Sequence, residues 1–167
     1  IVGGLGVIVA IVLIFFYLLY VVLPLFASAT AAKIGEYEIP GQPLGKTVLL
    51  EAEEQNEVAA RFTDSGHILF FEAVTGKTVL SQTIAMPEGT KVTSFAQSSN
   101  ISNGAVAYGL SDGKASVVKH QYQVTYPNNK RQITPSLGYP LGEQPLVIAD
   151  SGLPLEKIAV SVDSGAT

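Results

Sequence analysis

The pattern of apolar and polar positions divides the chain in two. Residues 1–26 (IVGGLGVIVAIVLIFFYLLYVVLPLF) contain no charged side chain, whereas everything after them mixes apolar and polar positions at short intervals. A helix rises about 1.5 Å per residue, so about 20 apolar residues cross the roughly 30 Å hydrocarbon core of a bilayer. The first segment therefore predicts a transmembrane helix over residues 1–26. Tyrosine rings with one polar tip favour the headgroup level, which places Tyr17 and Tyr20 toward the far interface. Pro24 suits the end of the span, where few backbone hydrogen bonds are lost. Gly6 and Ala10 lie four apart, a spacing that lets a second helix approach closely. Ala27-Ser28-Ala29 has the small-x-small form of a signal-peptidase site, but signal h-regions run only about 7–15 residues. An uncleaved anchor is the expectation. The chain also opens on Ile1 rather than Met, which reads as a piece of something longer.

Residues 27–46 read as a linker, small at first and then carrying Pro40, Gly41, Pro43 and Gly45, a density that sustains no regular element. Only Lys33 and Lys46 follow the span closely, opposed by Glu36 and Glu38. No cluster of positive charge retains this side in the cytoplasm, so residues 47–167 are expected to be an extracytoplasmic domain. From there the period becomes two. Val58–Phe62, Ile68–Phe71, Lys77–Ile84, Lys91–Gln97, Ala105–Leu110, Ala115–Tyr126 and Lys157–Val162 predict strands, most bounded by Gly, Asn, Asp or Ser. Glu51–Ala60 is the one local helical option, and it lacks an apolar stripe.

Three turns share one form: Thr63-Asp64-Ser65-Gly66, Leu110-Ser111-Asp112-Gly113 and Val162-Asp163-Ser164-Gly165. Asp followed closely by Gly suits a tight hairpin, because Gly66, Gly113 and Gly165 accept positive φ without strain. The aspartates Asp64, Asp112 and Asp163 lie 48 and then 51 residues apart. Periods of about 40–50 residues are those of propeller blades, each a four-stranded sheet. The fold expected is one transmembrane α-helix followed by an all-β domain, a partial β-propeller holding two blades and the start of a third. A β-sandwich or an open antiparallel domain is the alternative.

Charge and candidate chemistry narrow the function classes. A net charge of −4 argues against nucleic acid as a partner, and the absence of cysteine removes disulfides and thiolate metal sites. Gly41-Gln42-Pro43-Leu44-Gly45-Lys46-Thr47 has one residue too few between its glycines for a phosphate-binding loop, and Pro43 removes an amide. His67 and His120 read as strand histidines. Glu51, Glu53, Glu54 and Glu57 form an acidic cluster without calcium-loop spacing, best read as a solvated face. Asn100-Ile101-Ser102 fits a glycosylation acceptor, meaningful only in a eukaryotic secretory setting. Lys130-Arg131 reads as a loop. No nucleophile–base pairing or metal spacing stands out, so no enzyme, cofactor or metal is expected.

The turn Thr75-Gly76-Lys77 after the strand His67–Glu72 resembles the strand–TG–strand ending of WD40-like and quinoprotein-like blades. The stretch LIFFYLLYVVLPLF, followed after the linker by LEAEEQNEVAARFTDSGHILFF, resembles the N-terminal part of long-form permease subunits of bacterial phosphate ABC transporters (the PstC type). The resemblance covers roughly Leu13 to Ile84. It implies a first membrane helix in the bacterial inner membrane and a periplasmic domain inserted before the helices of the translocation path. It further implies a second permease subunit, an ATPase subunit and a solute-binding protein as partners, beside the lipid bilayer. A membrane-tethered propeller scaffold of the bacterial envelope has the same order of elements. An anchored quinoprotein-type enzyme would need Trp-rich blades, and the chain has no Trp.

Overall fold

A computed structural model describes residues 2–28, 31–98 and 104–161. The chain forms two compact units, divided after Ile34. The first is the helix α1 (Val2–Val22), continued by a short 3-10 turn over Leu23–Phe26 that contains Pro24. Residues 3–26 are long and apolar enough to cross a membrane, and none of them is buried within the protein. By length and composition alone, such a helix suits a lipid environment.

The second unit is all β, in two antiparallel sheets. Strands β1 (Thr47–Ala52), β2 (Val58–Thr63), β3 (His67–Glu72) and β4 (Thr78–Thr83) form the first, in chain order. Strands β5 (Val92–Gln97), β6 (Ala105–Leu110), β7 (Lys114–Thr125) and β8 (Gln132–Gly138) repeat that order in the second. A two-residue strand, β9 (Leu146–Val147), pairs with the start of β7. Each sheet is thus an up-and-down meander of neighbours, and both are open. A closed ring of sheets is not formed by the described residues.

Alternation decides which residues meet. One face of the first sheet carries Leu49 and Glu51 of β1, Val58, Ala60 and Phe62 of β2, and Ile68 and Phe70 of β3. One face of the second carries Phe95 and Gln97 of β5, Val106 and Tyr108 of β6, and Val118, His120 and Tyr122 of β7. The apolar members of these faces form a single core cluster, in which Phe62, Ile68, Phe70, Val106, Tyr108, Leu110 and Val118 are fully buried. Burying one such side chain contributes about 1.5–3 kcal/mol, so this seam supplies most of the drive that joins the sheets. The middle strands β2 and β6 are buried on both faces, because their outward sides are covered as well.

Several expectations need correction. Glu51–Ala60 is not helical: β1 runs through Ala52, a tight turn follows, and β2 begins at Val58. The Glu53 carboxylate accepts from the amides of Gln55 and Glu57 at 3.0 and 2.9 Å, and Asn56 adopts φ 58°. Asn tolerates that left-handed geometry, so local side-chain bonding wins over the helical option. β8 was not expected, because Pro135 interrupts its pattern; it is an edge strand, where proline is tolerated. Residues 157–161 are irregular, although Lys157–Val162 alternates; they join neither sheet's ladder. The linker is also less loose than its composition suggests, with a 3-10 turn at Gln42–Leu44.

Candidate functional site

The two Gly turns occupy matching places. Asp64 and Gly66 lie between β2 and β3, and Asp112 and Gly113 lie between β6 and β7. Gly66 and Gly113 adopt φ of 82° and 80°, and their amides reach back to Thr63 and Leu110 carbonyls. The residue before the first strand of each sheet closes on this turn. The Lys46 amide donates to Asp64 Oδ1 at 2.9 Å, and the Asp64 amide returns a bond to the Lys46 carbonyl. The Lys91 amide donates to Ser111 Oγ at 3.0 Å, and the Ser111 amide returns a bond to the Lys91 carbonyl. The two sheets therefore share one turn closure, and its phase differs from the aspartate spacing. Asp64 is equivalent to Ser111, whereas Asp112 holds Lys114 at 2.9 Å. That hydrogen bond from Lys114 lowers the Asp112 carboxyl below its ordinary value. Asp163 and Gly165, like the Asn100-Ile101-Ser102 acceptor pattern, lie outside the described residues.

The residues expected to serve the membrane all lie in the first unit. Tyr17 and Tyr20 are 65% and 76% exposed, well able to meet headgroups. Pro24 falls within the turn that ends α1. Gly6 and Ala10 are exposed, and a side chain built on Gly6 would meet nothing outside its own helix.

A polar group that sequence reasoning did not assemble lies in the seam between the sheets. Glu51 of β1 places Oε2 2.7 Å from His120 Nε2 of β7, with only 15% and 12% of the two side chains exposed. The Gln97 side-chain amide of β5 donates to the other Glu51 oxygen. Rings enclose the histidine: Phe62 and Tyr122 stand edge-on at centroid distances of 5.8 and 5.5 Å, and Gly104 leaves room for the imidazole. Burial first, and then the carboxylates of Glu51 and Glu53, push the Tyr122 phenol above its ordinary range. Burial does the same to Tyr108, aided by Asp64. At the rim Arg131 pairs with Glu57 and lies 3.9 Å from Glu53, so part of the acidic cluster is an inter-sheet tie rather than a solvated face.

His67, the other histidine, stands apart from this group. Its Nδ1 is 3.0 Å from Ser65 Oγ, within the β2–β3 turn. The signal for the seam was alternation itself, which places Glu51 beside Leu49 and His120 between Val118 and Tyr122, all on inward faces. No group of three or more His, Asp or Glu side chains among the described residues is arranged to hold a metal ion. The arrangement can join, orient and brace two sheets. Compared with known protein families and with characterised proteins, the sequence matches none.

Proposed function

We propose that the chain serves transport without catalysing a reaction. It is the N-terminal part of a permease subunit of an ABC-type phosphate import system, and α1 is its first membrane span. Its β-sheets, blades of propeller type, form an interaction module on the periplasmic face of the bacterial inner membrane. A second permease subunit, an ATPase subunit and a solute-binding protein are its partners, with the lipid bilayer around α1.

The observation that supports this reading is the paired closure Lys46–Asp64 and Lys91–Ser111. It makes the two sheets copies of one structural unit, following a helix apolar enough to span a bilayer. Stacked repeats create extended binding surfaces, which suits an interaction module. A membrane-anchored scaffold of the envelope is the second reading, since the same sheets would serve it.

The parent protein separates the two. Its membrane topology, mapped by thiol labelling from each side, is expected to show several further spans, and the ATPase subunit is expected to co-purify with it. A parent protein anchored by α1 alone, from which no ATPase subunit co-purifies, would overturn the permease reading in favour of the scaffold.

A further inference from the structure

The outward face of the first sheet carries Ala59 and Arg61 of β2 with Leu69 and Phe71 of β3. All four are buried, Arg61 to 1% exposure, although the second sheet packs on the opposite face. What covers them is the segment expected to be a loose linker.

Arg61 reaches out of the sheet into that segment. Its Nη1 donates to the carbonyls of Pro40 and Gly41 at 2.9 and 2.6 Å, and its Nη2 donates to the Gly45 carbonyl at 2.6 Å. Its Nε donates to Thr47 Oγ1 at 2.8 Å. A planar guanidinium with five donors suits this fork of carbonyls, which a lysine would not reproduce. Gly41, at φ 73°, lies so close to Leu69 that a β-carbon there would meet its methyl at 2.6 Å. Ser65 Oγ donates to the Leu44 carbonyl, and the Lys46 amide is held by Asp64. At the other end the Tyr37 hydroxyl donates to the Ala73 carbonyl at 2.5 Å, and its ring packs against Phe71 and Gly76.

We infer that residues 37–46 are a sealing strap, which takes on the first sheet the place that a neighbouring sheet would occupy. The first sheet is then the terminal member of the stack, and sheets pack only on its other side. Ring closure through the Arg61 face requires the strap to leave. This inference does not rest on the transport reading.

The chain has no cysteine, so a single introduced thiol reports one face. In the full 167-residue chain, Leu69→Cys is placed under the strap, and Ala60→Cys on the inter-sheet face serves as the control. Maleimide labelling of Leu69→Cys is expected to be slow, and to rise at least about tenfold when Arg61→Gln is added, as for a locally opened segment. Ala60→Cys should stay slow in both backgrounds. Fast labelling of Leu69→Cys with Arg61 intact would overturn the inference, because the strap would not be docked. Slow labelling after Arg61→Gln would overturn it equally, because something else would cover the face. Should Arg61→Gln expose both thiols by unfolding the domain, hydrogen exchange in the unsubstituted protein decides. Protected amides at Leu44 and Lys46 support the strap, and amides that exchange as fast as an open loop refute it.

Discussion

Glu51 and His120 meet across the seam between the two sheets, with Oε2 and Nε2 2.7 Å apart and both side chains largely withdrawn from solvent. They lie 69 residues apart in the sequence (120 − 51), and neither sheet needs the other partner for its own hydrogen-bond ladder. Removing one partner leaves a polar group buried without its complement. Glu51→Ala or His120→Ala should each cost about 2–3 kcal/mol, somewhat less than a wholly dry pair because some exposure remains. The double substitution should cost less than the sum by at least about 1 kcal/mol. Urea denaturation of the four proteins at neutral pH measures this, and strict additivity would show that the contact contributes nothing.

The alkaline limb of stability should be steep. Tyr108 and Tyr122 are both held above the ordinary phenol range by burial, with Asp64 and the pair Glu51 and Glu53 adding to the effect. A phenol that ionises later in the folded state keeps its proton while the unfolded chain loses one. Stability is therefore intact below about pH 10 and falls as pH rises past it, by up to about 1.4 kcal/mol per pH unit for each such tyrosine. Denaturation midpoints between pH 8 and 11.5 should show this fall, and Tyr122→Phe should make it shallower. An unchanged slope in that variant would contradict the burial of its hydroxyl.

The two turn glycines should differ in tolerance. Both have φ near 80°, so alanine is strained at either by about 1–2 kcal/mol. A β-carbon on Gly66 would meet the flexible Ile84 side chain at 2.9 Å, whereas one on Gly113 would meet the Ala149 carbonyl at 2.6 Å. Side chains can turn aside and backbone cannot. Thermal unfolding should therefore show Gly113→Ala as the more damaging change, and the reverse order would mean that residues 148–152 do not pack against this turn.

Much of this architecture is legible in the residues. The uncharged run names the helix, and period-two alternation names most strands, because each sheet face must be uniformly apolar to pack. β8 escapes that reading since Pro135 breaks the pattern and only an edge position excuses it. The acidic turn after β1 escapes it because Glu53 and Asn56 act through backbone bonds rather than through periodicity. The Gly turns point to the shared closure of the two sheets, but its phase follows backbone pairing, where Ser111 does the work of Asp64. Arg61 was the least legible residue. A charged side chain within a strand signals exposure, and only the fold reveals the carbonyls of Pro40, Gly41 and Gly45 around it.

On the proposed reading, the β-domain serves phosphate import from outside the membrane. Uptake of radiolabelled phosphate by cells tests it most directly, comparing the intact parent protein with one from which the β-domain has been excised in frame. Uptake is expected to fall severalfold while the protein remains in the membrane at normal abundance. Uptake and binding-protein docking unchanged after the excision would contradict it.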